Sequence, residues 1–309
     1  MILVCGEALM DVFTQEATSS GMVLDARVGG SPVNVAIGLA RLGVQAAFFG
    51  GISQGVLGQR LVSALTAESV DIRYIARSHA PTTLSLIELN DQGVPSYAFY
   101  GEGGADRSLS VEALDILHGA TPDALHFGSY TMVVEPVASV QRQLVERYQA
   151  QALISYDPNI RLNVQPDLQP WLAALQFMVP RVGLLKISLE DFALLLPDVT
   201  LETQVQEWLN KGVALVVVTR GSDGVSAWSA AHRVDVQAYP CQLVDTVGAG
   251  DSFQAAMLAW LEEHNSLSRA SVTALAFDKI RQMLMFAARA AALTCSRQGA
   301  DLPSLADLK

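Results

Sequence analysis

The chain has 309 residues, of which 50% are hydrophobic and 17% charged, with 31 acidic against 20 basic side chains and a formal net charge of −11 at pH 7. It can bury a large core and is long for one domain without dividing clearly into two, so one large α/β domain with a small appendage is expected. The acidic balance excludes a surface for nucleic acid or an anionic membrane, because both need clustered Lys and Arg and none of the 20 falls in a basic run. A small-molecule ligand is expected instead, and a polyanionic one would need positive charge concentrated locally or a metal cation beside it. Cys5, Cys241 and Cys295 are odd in number and far apart, which suggests free thiols in a reducing compartment. The first residues lack a basic lead-in and meet Glu7 and Asp11 too early for a signal sequence, and apolar runs such as residues 213–218 fall short of a membrane span. A cytoplasmic location is expected.

In chain order, short β-branched runs alternate with helical patterns, the signature of a parallel sheet covered on both faces. Strands are predicted at residues 2–5, 46–50, 125–127, 153–156, 184–187 and 214–219. Asp11 follows the first of them, at the carboxyl end where open α/β sheets hold ligands. Gly29-Gly30-Ser31-Pro32-Val33-Asn34 then opens a predicted helix over 32–42, with Val33, Ala36, Ile37 and Ala40 on one face, Pro32 in the first turn and Gly43 at the cap. The glycine pair lets backbone approach a ligand, and Asn34 offers donors and an acceptor suited to a sugar hydroxyl. A tight turn with a polar first-turn residue explains the same residues. Residues 82–100 break the rhythm: runs at 82–89 and 96–100, joined by Asn90-Asp91-Gln92-Gly93, read as an antiparallel hairpin. With the stretch 12–28 it makes either a small separate sheet or an edge hairpin of the main one, and the pattern weighs the two equally.

Further along, Asp157-Pro158-Asn159-Ile160-Arg161 follows a strand with a carboxylate, an amide and a guanidinium. Lys186 and Ser188 end the next strand, with Glu190 and Asp191 just beyond, and Thr219-Arg220-Gly221-Ser222-Asp223-Gly224 ends another before turning into a predicted strand at 225–228. Each has a plain reading as a cap, a loop pair or a turn. Nearly all stand at carboxyl ends of predicted parallel strands, where one cleft can collect them.

The most informative stretch is Asp245-Thr246-Val247-Gly248-Ala249-Gly250-Asp251, which precedes a helical pattern carrying Phe253, Ala256, Met257, Trp260 and Leu261 on one stripe. Unpaired N–H groups and the helix dipole favour an anion there, and two glycines let the backbone close around it. Asp251, which the helix end would keep ionised, can take a proton from a hydroxyl attacking a phosphorus held by the turn. Alone, the stretch reads equally well as a capped helix.

The two glycine-rich helix entries resemble the signature regions of the ribokinase-like sugar kinases, the PfkB family, and the resemblance runs from Met1 to about Pro303. It implies one kinase domain over 1–309, with a doubly wound, mostly parallel sheet flanked by helices. It also implies a small β-sheet lid, formed by roughly 12–28 and 82–106, through which relatives often form a homodimer. Through Asp157 to Arg161, Lys186-Ile187-Ser188 and the Phe99-Tyr100 and Ala105-Asp106-Arg107 stretch, the chain is most similar to the fructokinases. The implied reaction moves the γ-phosphoryl of ATP, with Mg²⁺, to a primary hydroxyl of a ketohexose, fructose first among them. By the same match Asp251 is the base, and Gly248, Ala249 and Gly250 form the anion hole. Asp11, Gly29, Gly30, Asn34 and Arg161 line the sugar. Lys186, Thr219, Gly221, Gly224 and Gly250 line the nucleotide, with residues 291–299 closing over adenine and a monovalent cation, K⁺, near Asp245.

Two departures stand out. Gly101 occupies the place of a basic residue after the Phe-Tyr pair, and Ser188-Leu189-Glu190-Asp191 replaces Asn-x-x-Glu, so the acid on the Mg²⁺ side stays open between Asp191 and Glu190. Ribose, 2-keto-3-deoxygluconate, aminoimidazole riboside or a nucleoside are alternative acceptors. A dinucleotide-dependent oxidoreductase would need a Gly-x-Gly-x-x-Gly that does not follow the first strand. A sugar-binding sensor without catalysis sits poorly with Asp251.

Overall fold

Ile2 and Val4 pack into one hydrophobic cluster, Leu3 and Cys5 into another, and all four are buried. A strand apolar on both faces is stable only with helices over both, and that requirement sets the architecture. A computed structural model, describing residues 1–89 and 95–309, contains the strands β1 (Ile2–Cys5), β2 (Leu9–Ala17), β3 (Met22–Gly29), β4 (Ala46–Ser53), β5 (Ile75–Ser78), β6 (Leu84–Leu89), β7 (Pro95–Tyr100), β8 (Ala124–Gly128), β9 (Leu153–Asp157), β10 (Leu184–Ser188), β11 (Leu215–Thr219), β12 (Val225–Trp228) and β13 (Arg233–Val236). Its helices are α1 (Ser31–Arg41), α2 (Val56–Ala67), α3 (Val137–Tyr148), α4 (Leu168–Met178), α5 (Leu189–Leu195), α6 (Leu201–Asn210), α7 (Ala249–Glu263), α8 (Arg269–Thr273) and α9 (Phe277–Cys295).

Among the described residues the main sheet has nine strands in the order β13-β12-β11-β10-β9-β8-β1-β4-β5, parallel except for the edge pair β12 and β13. Residues of α1, α2, α7 and α9 share one core cluster with one set of alternating strand residues, and residues of α3, α4, α5 and α6 share the other. The chain starts inside the sheet at β1, builds outward through β4 and β5, then crosses to β8 and builds the other way. The carboxyl ends of β1, β9, β10 and β11 therefore open on one edge beside the switch point, where such sheets bind ligands. The expected doubly wound, mostly parallel sheet is what forms. No helix among the described residues is long and apolar enough to cross a membrane.

The hairpin at β6 and β7 is not an edge of this sheet. It belongs to a separate four-stranded sheet of order β3-β2-β6-β7. The predicted turn at Asn90 to Gly93 lies outside the described residues. Asp11, expected in a loop after β1, lies inside β2, because the chain enters the small sheet within a few residues of leaving the large one. Across the small sheet Arg27, Asp11, Ser85 and Phe99 stand in one row.

The starts of α1 and α7 are brought together by a close contact one turn further on. A Cβ added at Gly38 of α1 would lie 2.8 Å from the Cβ of Ala255 on α7 and 2.6 Å from a methyl of Leu302. Side chains at that crossing would hold the helices apart. Four residues earlier on each helix stand Asn34 and Asp251.

Candidate active site

The turn into α7 is fixed from two sides. Gly248, with φ at +79°, sits where an added Cβ would come within 2.8 Å of the Ala300 Cβ, so only glycine fits both the backbone and the chain packed over it. Asp245 binds the other end: one carboxylate oxygen accepts from the Val247 N–H at 3.0 Å and the other from the Gly299 N–H at 2.8 Å. The Val244 and Asp245 N–H groups donate to the Cys295 carbonyl at 2.8 and 3.2 Å. The heptapeptide is thus stitched to the segment that follows α9. The Ala249 N–H is drawn back to the Thr246 carbonyl at 3.2 Å, which makes it a weaker anion donor than the sequence reading supposes.

Asp251 lies in the first turn of α7 and is only 9% exposed. Its Oδ1 accepts from Ser31 Oγ at 2.6 Å and its Oδ2 from Asn34 Nδ2 at 2.8 Å, both donors on the first turn of α1. Burial pushes its carboxyl above the usual range, while the two hydrogen bonds and the positive charges of Lys186 and Arg161 pull it back. Burial is the largest of these effects, and the net direction is upward. A base of raised pKa accepts a proton more readily.

The Gly29-Gly30 pair has a direct cause in a carboxylate and a main-chain carbonyl beside it. A Cβ at Gly29 would lie 2.2 Å from Asp11 Oδ2, and one at Gly30, where φ is +105°, would lie 2.8 Å from the Glu7 carbonyl. Burial raises the Asp11 carboxyl to about 6, with Ser85 and Arg161 opposing and the Asp251 charge adding to the rise. Arg161 is exposed in the loop after β9, with Nη1 on the Ile160 carbonyl at 2.9 Å. A cavity of about 200 Å³ opens here, lined by Asp11, Arg27, Val247, Gln298, Gly299 and Ala300 among others.

On the other side, Lys186 of β10 makes a buried ion pair with Asp157 at 2.6 Å, and its Nζ lies 3.3 Å from where a Gly250 Cβ would be. That places an ammonium against the exposed start of α7. Asp157 Oδ1 is buried with no hydrogen-bond partner among the described residues. Ser188 caps α5, its Oγ accepting from the Asp191 N–H at 3.0 Å, and the Asp191 carboxylate accepts from the Ile160 N–H at 3.4 Å; burial and the Asp157 charge raise its carboxyl. Glu190 is exposed. Of the two acids left open by the sequence, Asp191 is the one that faces Asp157 and Lys186.

Thr219 ends β11, and Gly221 and Gly224, with φ of 52° and 89°, turn the chain into the antiparallel β12. A Cβ at Gly224 would strike the Val236 carbonyl at 2.2 Å, so that glycine answers to backbone packing. No hydrogen bond or ion pair among the described residues joins these three to the Asp251 group. The sequence reading gave no role to Ser31, nor to Glu7, which is 2% exposed and whose carboxyl burial raises to about 8. The available signal is a carboxylate two residues beyond an all-apolar strand end.

Fold and site define a doubly wound α/β enzyme with a sheltered carboxylate at the start of a helix. The chain belongs to the pfkB family of carbohydrate kinases, whose family model matches residues 1–307. It is 36% identical to a fructokinase of Rhizobium leguminosarum bv. trifolii over 91% of this chain and 86% of that one. To a fructokinase of Vibrio alginolyticus it is 31% identical over 85% and 84% of the two chains. A crystal structure of fructokinase with bound ATP from Xylella fastidiosa matches with a TM-score of 0.92 at 26% identity, covering 99% of this chain and 96% of that one. Family membership makes the chain a carbohydrate kinase and leaves the oxidoreductase alternative without support.

Proposed function

We propose that the chain is a fructokinase, transferring the γ-phosphoryl of ATP to a primary hydroxyl of fructose. The observation that carries this reading is Asp251: a buried carboxylate of raised pKa at the start of α7, held by Ser31 and Asn34 within reach of the Lys186 and Arg161 charges. Similarity to named fructokinases supplies the sugar.

In this reading Asp11, Gly29, Gly30, Asn34 and Arg161 hold the sugar, the carboxylate of Asp11 accepting from its hydroxyls. A carboxylate oxygen of Asp251 takes the proton of the attacking hydroxyl. The backbone of Gly248, Ala249 and Gly250, with the Lys186 ammonium positioned by Asp157, stabilises charge on the transferring phosphoryl, which is where most catalysis of phosphoryl transfer lies. Thr219, Gly221, Gly224 and residues 291–299 frame the nucleotide. Mg²⁺ is usually held by one or two carboxylates together with substrate phosphates. The unpartnered Asp157 Oδ1 and the adjacent Asp191 fit that need, and when bound the ion neutralises phosphate charge. No group of three or more His, Cys, Asp or Glu among the described residues would hold a metal alone.

K⁺ beside Asp245 is part of the same reading, tested by comparing activity in K⁺ and Na⁺ salts. So are a single domain over 1–309 with the small sheet as its lid, a homodimer through that sheet, and a cytoplasmic location suited to free thiols. A coupled ADP-release assay over fructose, ribose, 2-keto-3-deoxygluconate, aminoimidazole riboside and a nucleoside tests the acceptor. Fructose is expected to give the highest kcat/KM, and a higher value for any other overturns the choice.

A further inference from the structure

Gly101 follows β7, and the space its side chain would occupy is filled by another residue. A Cβ built there would lie 2.6 Å from Nη2 of Arg107 and 2.7 Å from a methyl of Thr83. Strand register fixes the face concerned. Leu84 pairs with Tyr100 and Ser85 with Phe99, so Gly101 stands opposite Thr83, on the face shared by Ser85 and Phe99. Ser85 pairs in turn with Asp11 and hydrogen-bonds its carboxyl. The Arg107 guanidinium therefore lies on the face of the small sheet that carries Asp11.

Its surroundings hold it without satisfying it. Nε is buried and has no hydrogen-bond partner among the described residues. Asp106 is the one described carboxylate within 4.0 Å, at that distance, and it is already engaged by the Thr83 hydroxyl and by the Tyr130 hydroxyl at 2.7 Å. The guanidinium lies 5.1 Å from the centroid of the Tyr130 ring, which Phe99 meets edge-on at 6.4 Å. An aromatic wall and a distant carboxylate fix its position, and no hydrogen bond joins its guanidinium to another described residue. A buried donor left open in this way is costly unless something completes it.

We propose that Arg107 contacts the acceptor sugar, donating hydrogen bonds to hydroxyl oxygens of the neutral ketohexose from the small-sheet face, and that position 101 is glycine because the guanidinium needs its space. This rests on the sugar-kinase reading above. The test measures KM and kcat for sugar and ATP in Arg107→Met, Arg107→Lys and Gly101→Ala, with the sugar that the unaltered enzyme turns over best and a set of its monodeoxy analogues. Loss of a charge-assisted hydrogen bond should raise the sugar KM about tenfold or more in Arg107→Met. The ATP KM should stay within about twofold. Arg107→Lys should recover part of the loss, and Gly101→Ala, which crowds the guanidinium, should raise the sugar KM as well. One deoxy analogue should be used poorly by the unaltered enzyme yet suffer no extra penalty in Arg107→Met. Equal penalties for every analogue in both enzymes, or an ATP KM that rises in step with the sugar KM, overturns the proposal. If Arg107→Met does not fold, the other two variants, which keep the charge, carry the test. Should the best sugar prove not to be fructose, that reading fails and this test still runs.

Discussion

Asp251→Asn separates chemistry from architecture, because the amide can keep the geometry of the carboxylate it replaces. Its oxygen can take the Asn34 Nδ2 donor, and its NH₂ can donate to Ser31 Oγ, whose hydroxyl hydrogen is free to turn elsewhere. No buried donor is stranded, whereas Asp251→Ala would strand Ser31 and Asn34 together at a cost of about 1–3 kcal/mol each. Burial is the leading cause of the raised Asp251 carboxyl, so ionising it in the folded state works against stability. A neutral amide should therefore leave the thermal midpoint at neutral pH unchanged or slightly higher. The chemical loss should be far larger. Removing a general base costs roughly 10²–10⁴ in turnover, or about 2.7–5.5 kcal/mol of barrier. Calorimetric titration should show sugar and ATP still binding, while a coupled ADP-release assay shows the fall in kcat. A kcat within about tenfold of the unaltered enzyme, with both substrates bound, would refute the proton-transfer role.

The acid limb of the pH profile should follow Asp11. Its carboxyl is raised to about 6, so sugar kcat/KM should drop as pH falls through that value, and the Asp11→Asn profile should lose this limb. The stability sign is opposite: the folded state holds the Asp11 proton more tightly than the unfolded one, so this group adds stability as pH falls through about 6, read as a rising thermal midpoint relative to Asp11→Asn. Lys186→Met leaves Asp157 buried and unpaired, and should cost about 3–5 kcal/mol in urea denaturation, with part regained in the Lys186→Met, Asp157→Asn double variant. Gly38→Val forces methyls into Ala255 and Leu302, and should cost about 1–3 kcal/mol. It should also lower kcat by moving Asn34 away from Asp251; an unchanged kcat would show that the helix contact does not set the site.

What the sequence displays well is whatever its local pattern determines. The runs at β1, β4, β8, β9, β10 and β11 are apolar on both faces, and fall within a residue or a few of where they are predicted. β5 and β13 escape such a reading, because their tetrapeptides, Ile75 to Ser78 and Arg233 to Val236, mix charged with apolar residues at the sheet's two edges. Roles that depend on what meets across the fold are hidden in the same way. Ser31 reaches Asp251 over a separation of 220 residues, and no spacing in the chain announces it. The glycines at 29, 30 and 248 do announce themselves, but their reasons, a carboxylate, a carbonyl and Ala300, exist only in three dimensions. The upward shift of the Asp251 carboxyl is hidden for a related cause: the helix end is local and visible, while burial is global.

The overall negative charge is not diluted at the site, and that has a mechanistic consequence. Asp157, Asp191 and Asp251 stand around Lys186 and Arg161, so the carboxylates outnumber the cations where a polyanionic nucleotide would have to enter. Lys186 is paired with Asp157, which offsets part of its charge. On the reading proposed above, attraction for phosphates must come from backbone N–H groups at the start of α7, from what remains of the Lys186 charge, and from a divalent ion carried in with the nucleotide. The raised carboxyls fit this account. They mark groups whose charge burial opposes, and a cation arriving with the phosphates relieves that cost for Asp191 while leaving Asp251, held by Ser31 and Asn34, free to accept a proton.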